Sequence, residues 1–201
     1  VYIAASEVAL RCLLLPVLKA YRLLYPGIHI RISNHSTPQA IDALRDGSAD
    51  IAVVTTPTVQ TASLCETAVS PITEVPVCSP FFKELADRPV SLAELTAYPL
   101  ITLGRDTASF AFYSALFSQH GAAYKPDIEA CTADQILPMV QADLGIGFVP
   151  EEFLRDRDGI CRIHLKEPIP ERNIVIIKRK EQPLSVAAAE LERMILEESA
   201  V

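Results

Sequence analysis

Residues Gly27–Val54 read GIHIRISNHSTPQAIDALRDGSADIAVV. Ile28, Ile30 and Ile32 alternate with His29, Arg31 and Ser33, the two-residue period of a half-buried strand. A polar corner, Asn34 to Thr37, follows, and Pro38 stands where a helix begins. Proline is accommodated there because the first helical position has no N–H bond to lose, and Thr37 before it is the expected N-cap. Ile41 and Leu44 share a helical face, and Asp46-Gly47 ends the helix with a residue able to turn left-handed. Ile51 to Val54 is wholly apolar, as in a strand covered on both faces. The stretch is therefore a βαβ unit with parallel strands. Its strand-to-helix corner gathers hydroxyls and backbone N–H groups, which suits a carboxylate or another anion. Ser36 and Thr37 also suffice as plain caps, so a functional role depends on other corners doing the same.

Upstream, Val1 to Ala5 forms a short apolar strand, Ser6-Glu7 turns, and Leu10, Leu13, Leu14, Val17, Leu18, Tyr21, Leu24 and Tyr25 recur at helical spacing. Pro16 lies inside that pattern and is expected to kink or restart the helix. Downstream, Leu64 to Val69 is a strand, and so is Val75 to Cys78, where Pro76 points to an edge or entry position. Ser91 and Glu94 have capping-box spacing. Leu100 to Leu103 is a strand, and Gly104 to Thr107 turns into a helix faced by Phe110, Phe112, Tyr113, Leu116 and Phe117. Ile128 to Cys131 leads into a Thr132-Ala133-Asp134 cap and a helix carrying Ile136, Leu137, Val140 and Leu144; Gly145 to Pro150 is turn, strand and stop. Repetition of the strand–turn–helix theme predicts a second α/β lobe. Ile160 to Leu165 and Asn173 to Lys178 are later strands, and Leu184 to Glu198 is a terminal helix.

Half of the 201 residues are apolar, the net charge is −7 and the pI is near 5.1. Lys178-Arg179-Lys180 is the densest basic run, so the chain alone is a poor nucleic-acid binder. Five scattered cysteines without a CxxC pair fit buried thiols in a reducing compartment. No apolar run has the length of a bilayer span, so no membrane partner is expected. The opening VYIAAS lacks an initiator Met and the marks of a signal peptide, so a fragment of a longer protein is expected.

Catalytic and metal motifs are missing. The sequence holds no GxSxG, HExxH, P-loop or GxGxxG, and the four histidines have no metal-ligand spacing. Neither a metal nor a cofactor is implied. His35 lies in the polar corner, where it either donates to an anion or is simply solvated. Cys65 and Cys131 suit packing better than nucleophilic chemistry. What recurs instead is a strand end, a hydroxyl residue and a helix start: at Ala5-Ser6, at Ser36-Thr37, around Thr102 to Thr107, and at Cys131-Thr132. In parallel sheets ligands sit outside the carboxyl ends of strands. Two such corners per lobe are expected to line one cleft for a small polar or anionic molecule.

Four blocks in this order carry a family resemblance: LLLPVLKAYRLLYPGIHIRI (Leu13–Ile32), AIDALRDGSADIAVV (Ala40–Val54), VSLAELTAYPLITL (Val90–Leu103) and MVQADLGIGFVP (Met139–Pro150). The chain resembles the effector-binding domain of LysR-type transcriptional regulators. The resemblance implies an α/β fold of two Rossmann-like lobes joined by two crossover segments, the type 2 periplasmic-binding-protein fold. It places lobe I at 1–72 and 159–201 and lobe II at 73–158. It implies a cytoplasmic regulator whose N-terminal DNA-binding domain lies outside this chain, and homodimers or homotetramers, with dimers made through the first lobe's helix and the facing helix of the second lobe. The effector contacts it implies are Ser6, Ser36, Thr37, Thr102, Thr132 and Ala133. Glu7 departs from the small or hydroxyl residue expected beside Ser6. If it faces the cleft it disfavours an anion; if it faces solvent it is a first-turn acid at the helix dipole.

Two alternatives differ in class. A free-standing solute-binding protein of the same fold needs a secretion signal and avoids free thiols. A small enzyme of prephenate dehydratase-like or deaminase-like activity needs an acid/base pair, for which only Glu7, His35 and Asp134 qualify. A non-enzymic sensor is the expectation.

Overall fold

The computed structural model describes residues 1–154 and 158–198. Contacts divide the chain into two compact units, Val1–Pro71 with Arg172–Val201, and Ile72–Glu171. In chain order the elements are β1 (Tyr2–Ala5), α1 (Glu7–Ala9), α2 (Leu15–Leu24), β2 (Arg31–Asn34), α3 (Thr37–Arg45), β3 (Ile51–Thr55) and β4 (Leu64–Ile72). Then come β5 (Glu74–Cys78), α4 (Leu92–Leu95), β6 (Leu100–Leu103), α5 (Ala108–Gln119), β7 (Ile128–Ala130), α6 (Ile136–Gln141) and β8 (Ile146–Pro150). Strands β9 (Cys161–Arg162) and β10 (Arg172–Arg179) and helix α7 (Val186–Glu198) follow.

The first unit holds a five-stranded sheet ordered β2-β1-β3-β10-β4. β1 runs parallel to β2 and β3, as the βαβ pattern requires, and β10 closes on β3 antiparallel. Every residue of β3 is buried. β2 differs from expectation. It is the sheet's edge, shorter than the isoleucine alternation suggested, and Ile32 is 39% exposed. An edge strand has no neighbour on one side to cover it, so periodicity alone overstated its burial.

Pro16 acts where expected. Leu10–Leu14 forms a π-turn between α1 and α2, with the Leu15 N–H donating to the Leu10 carbonyl. Widening the turn by one residue ahead of a proline that has no N–H to donate is how the helix continues. Tyr21 on α2 is fully buried and its hydroxyl donates to the Ala187 carbonyl at 2.8 Å, tying α2 to α7. The N-cap of α3 is Ser36, one residue before the expected Thr37, and Thr37 opens the helix. At the other end of α3, Arg179 donates to the carbonyls of Leu44 and of Ala49, the latter at 3.0 Å, closing the turn into β3.

The second unit's sheet is ordered β7-β6-β8-β5-β9. β6 is parallel to β7 and β8, and β5 is antiparallel to β8. Pro76 is thus neither on an edge strand nor at a strand entry, since it is the middle residue of β5. The Pro76 carbonyl accepts from Ile163 N–H at 2.9 Å, so its donor-less nitrogen also faces the two-residue β9. No rung of the β5–β8 ladder is lost. Pairing of β9 with β5, and a bridge from Leu165 to Val90, carry residues 159–171 with this unit. The return to the first unit therefore comes at Arg172, later than the expected 159. The core packs Leu92, Leu95, Phe117 and Ile146, with the Tyr113 and Phe148 rings 4.5 Å apart. Leu144, expected on the helix with Val140, lies past α6 and is 46% exposed.

Candidate functional site

In the first unit, three strand ends are tied together by hydrogen bonds. Ser6 N–H donates to the Val53 carbonyl at 3.0 Å, and His35 N–H donates to the Ala5 carbonyl at 2.9 Å. The Thr37 hydroxyl donates to the Thr55 carbonyl at 3.0 Å from a fully buried position. Ser6, Ser36 and Thr37 are thereby brought to the carboxyl ends of the neighbouring strands β1, β2 and β3, the location at which parallel sheets hold ligands.

Their hydroxyls are not in the same state. Ser6 Oγ accepts from Ala9 N–H at 3.2 Å, an ordinary helix cap that leaves its own proton available. Ser36 and Gln39 have the form of a capping box, but only one half is a full hydrogen bond: Gln39 Oε1 accepts from Ser36 N–H at 2.9 Å. Ser36 Oγ makes no cap hydrogen bond and is buried without a partner. A buried hydroxyl with nothing to bond costs on the order of 1–3 kcal/mol, and here it stands at the N-terminus of a nine-residue helix. Glu7 is the first residue of α1 and half-buried.

In the second unit, Thr132 and Ala133 follow β7 and Thr102 lies on the adjacent strand β6, where Leu103 pairs with Ala130. Thr132 makes no cap bond. Its hydroxyl donates to Asp134 Oδ1, while Gln135 Oε1 accepts from Cys131 N–H at 2.9 Å. Glutamine again secures the backbone and the threonine oxygen keeps its acceptor capacity. Ala133 is buried and opens a 3-10 turn that leads into α6. Thr102 sits within β6 rather than in the turn, 3% exposed, and hydrogen-bonds Tyr124. Burial pushes the Tyr124 phenol well above its ordinary value, the Thr102 bond opposes that, and the nearby Glu74 carboxylate adds to it.

Sequence reasoning missed Glu74, Tyr113 and Tyr124. Glu74 is 7% exposed and accepts from the Tyr113 hydroxyl at 2.5 Å. The available signal was a lone carboxylate heading the apolar run EVPVC. Of the three proposed acid/base candidates, Asp134 is held by Thr132. Among the described residues no cluster of three or more His, Cys, Asp or Glu is placed to hold a metal ion, and no helix is long and apolar enough to cross a membrane.

Comparison with known proteins agrees with the fold. The family model for the LysR substrate binding domain matches residues 1–200. The uncharacterized HTH-type transcriptional regulator YwbI of Bacillus subtilis is 30% identical over 177 residues, covering 86% of this chain and 58% of the relative. The chain spans about half the length of the curated relatives it matches. Among solved structures, the Synechocystis PCC6803 CcmR regulatory domain in complex with 2-PG aligns with a TM-score of 0.87 at 14% identity, covering 99% of this chain and 96% of that one. The effector-binding domain of QuiR in complex with shikimate gives 0.84 at 15% identity, covering 100% and 96%.

Proposed function

The chain belongs to the LysR substrate-binding domain family, the effector-binding part of LysR-type transcriptional regulators, and on that footing we propose which residues meet its effector and what chemistry they select. The contacts are Ser6, Ser36 and Thr37 in the first unit and Thr102, Thr132 and Ala133 in the second. Ser36 carries the proposal: its hydroxyl is buried, unpartnered and at a helix N-terminus, where negative charge is favoured. Ser6 adds a second donor. Thr37 and Thr132 have committed their protons and offer acceptors. Hydroxyl donors beside a helix N-terminus suit a small molecule with an anionic group. CcmR and QuiR, solved with 2-PG and shikimate, make a small polar effector a reasonable class here.

The full-length protein is a cytoplasmic, non-enzymic regulator that binds DNA through a domain outside this chain. Relatives that are HTH-type regulators support this. The effector acts by binding two arrangements of the protein with unequal affinity, since a ligand with equal affinity shifts nothing. Homodimers or homotetramers form through α2, on which Leu15, Leu23 and Leu24 are 52%, 75% and 62% exposed. A thermal-shift screen of small metabolites identifies the effector, and calorimetry with Ser36→Ala tests the site. Loss of a hydrogen bond to a charged group costs about 1.5–3 kcal/mol, so affinity falls at least tenfold. Unchanged affinity removes Ser36, and with it this site.

A further inference from the structure

Two of the five cysteines stand opposite each other in a β-ladder. β5 and β9 pair antiparallel with Cys78 opposite Cys161 and Val77 opposite Arg162. Ile163 N–H donates to the Pro76 carbonyl, which makes 76/163 a hydrogen-bonded position, and 78/161, two residues along, is of the same kind. Cα atoms at such a position are about 5.5 Å apart, inside the span of about 4.4–6.8 Å that a disulfide bridges. Directly opposed side chains leave the sheet on one face. Accordingly Cys78 belongs to the apolar cluster with Phe82 and Ile163, and Cys161 packs against that same cluster.

The two thiols differ in access. Cys78 is fully buried and its thiol donates to the Phe82 carbonyl at 3.5 Å. Burial pushes it up to about 12, with Cys161 the next cause, so it stays protonated and does not itself attack the oxidant. Cys161 is half-buried and is thus the more accessible residue of the two.

We propose that Cys78 and Cys161 form a peroxide-reactive dithiol, a redox modification site in the second unit. The Cys161 thiolate attacks hydrogen peroxide, the O–O bond breaks, and Cys161 sulfenic acid and hydroxide result. Cys78 then displaces the sulfenic oxygen, the S–S bond forms, and water leaves with the thiol proton. The pair loses two electrons and the peroxide gains them. At a hydrogen-bonded position the Cβ atoms start near 5.5 Å and must draw in to about 3.5–4.5 Å. The bond is therefore strained and readily reduced, the property of a regulatory disulfide. Its effect is local and defined: β9 is two residues long, and the bond pins it to β5 just ahead of the segment that returns the chain to β10.

The test treats the 201-residue chain with hydrogen peroxide, alkylates it under denaturing conditions and maps the peptides. The expected result is a linked Cys78–Cys161 peptide, reversed by dithiothreitol, and a rise in melting temperature on oxidation. Cys131→Ser, which removes the exposed cysteine, keeps both. Cys161→Ser loses both while still folding, and Cys78→Ala leaves a sulfenic acid on Cys161 that dimedone traps. Full alkylation of Cys78 and Cys161 after peroxide overturns the proposal, as does a disulfide that maps to any other pair.

Discussion

The corner after β2 and the corner after β7 are built on one plan and end in different chemical states. Each sets a hydroxyl residue at a helix start, Ser36 and Thr132, with a glutamine three positions on. In each the glutamine oxygen accepts from a backbone N–H that the hydroxyl's neighbourhood would otherwise leave open. The caps at Ser91 and Thr107 are unlike both, because their oxygens accept from Glu94 N–H and Phe110 N–H. A hydroxyl that caps its own helix has a sufficient structural reason to be there. Ser36 and Thr132 lack that reason. They part company over the proton: Thr132 gives its own to Asp134, whereas Ser36 has no partner.

That difference predicts unequal losses on substitution. Ser36→Ala weakens effector binding by about 1.5–3 kcal/mol, the range for a hydrogen bond to a charged group, while Thr132→Val costs about 0.5–1.5 kcal/mol, the range for a neutral one. Calorimetry on both variants with the same effector measures the ratio. Equal losses show that the two corners are chemically alike, and a larger loss at Thr132 reverses the assignment of the anionic end. Global stability does not fall at Ser36→Ala, because the substitution removes a buried hydroxyl that has no hydrogen-bond partner.

A packing prediction separates the corner after β7 from its counterpart. A Cβ added at Gly147 lies 2.3 Å from Ile136 Cγ2, on the helix that follows Thr132. Gly147→Ala therefore displaces α6 and costs about 1–3 kcal/mol, read in urea unfolding, and it weakens effector binding through Thr132 and Ala133. By contrast a Cβ at Gly47, after α3, meets nothing within 4 Å, although its φ of +80° makes the substitution strained. Ser6→Ala is smaller still. It removes the α1 cap at about 1 kcal/mol and lowers affinity modestly, because Ser6 is both cap and donor.

The sequence made the topology legible and left the state of the site hidden. Apolar runs such as Ile51–Val54 and punctuation such as Pro38 and Gly47 follow from local physics, and the parallel pairing of β1 with β2 and with β3 follows from them. Burial of Ile32 and the place of Pro76 depend on which strand neighbours which, and no single-strand pattern holds that information. The S-x-x-Q and T-x-x-Q spacings at Ser36–Gln39 and Thr132–Gln135 are visible in the sequence as capping boxes. Whether the hydroxyl or the glutamine completes its half of the box is a matter of side-chain geometry, and that decides which residue is left for a ligand. Glu74 with Tyr113 joins residues 39 positions apart, beyond the reach of any local signal.

Acid provides the gentlest way to set the two units against each other. Glu94 in the second unit has its carboxyl lowered to about 2, first by the Ser91 N–H, then by Arg88 and Lys166. Glu190 in the first is lowered to about 2, first by Arg193 and then by the Tyr25 hydroxyl, which joins α2 to α7. Both folded values lie below the ordinary 4.5. Each group therefore contributes stability that is fully present above about pH 4.5 and is lost as pH falls through about 2. Both carboxylates are partly exposed, so the effect is small and is screened by salt. Hydrogen exchange at acid pH should show protection falling first at α4 and at the α2–α7 contact. Glu94→Gln should remove the pH dependence at α4 alone, and Glu190→Gln at α2–α7 alone. If either variant alters both regions, the two units do not titrate independently, and the separate treatment of their corners fails with that result.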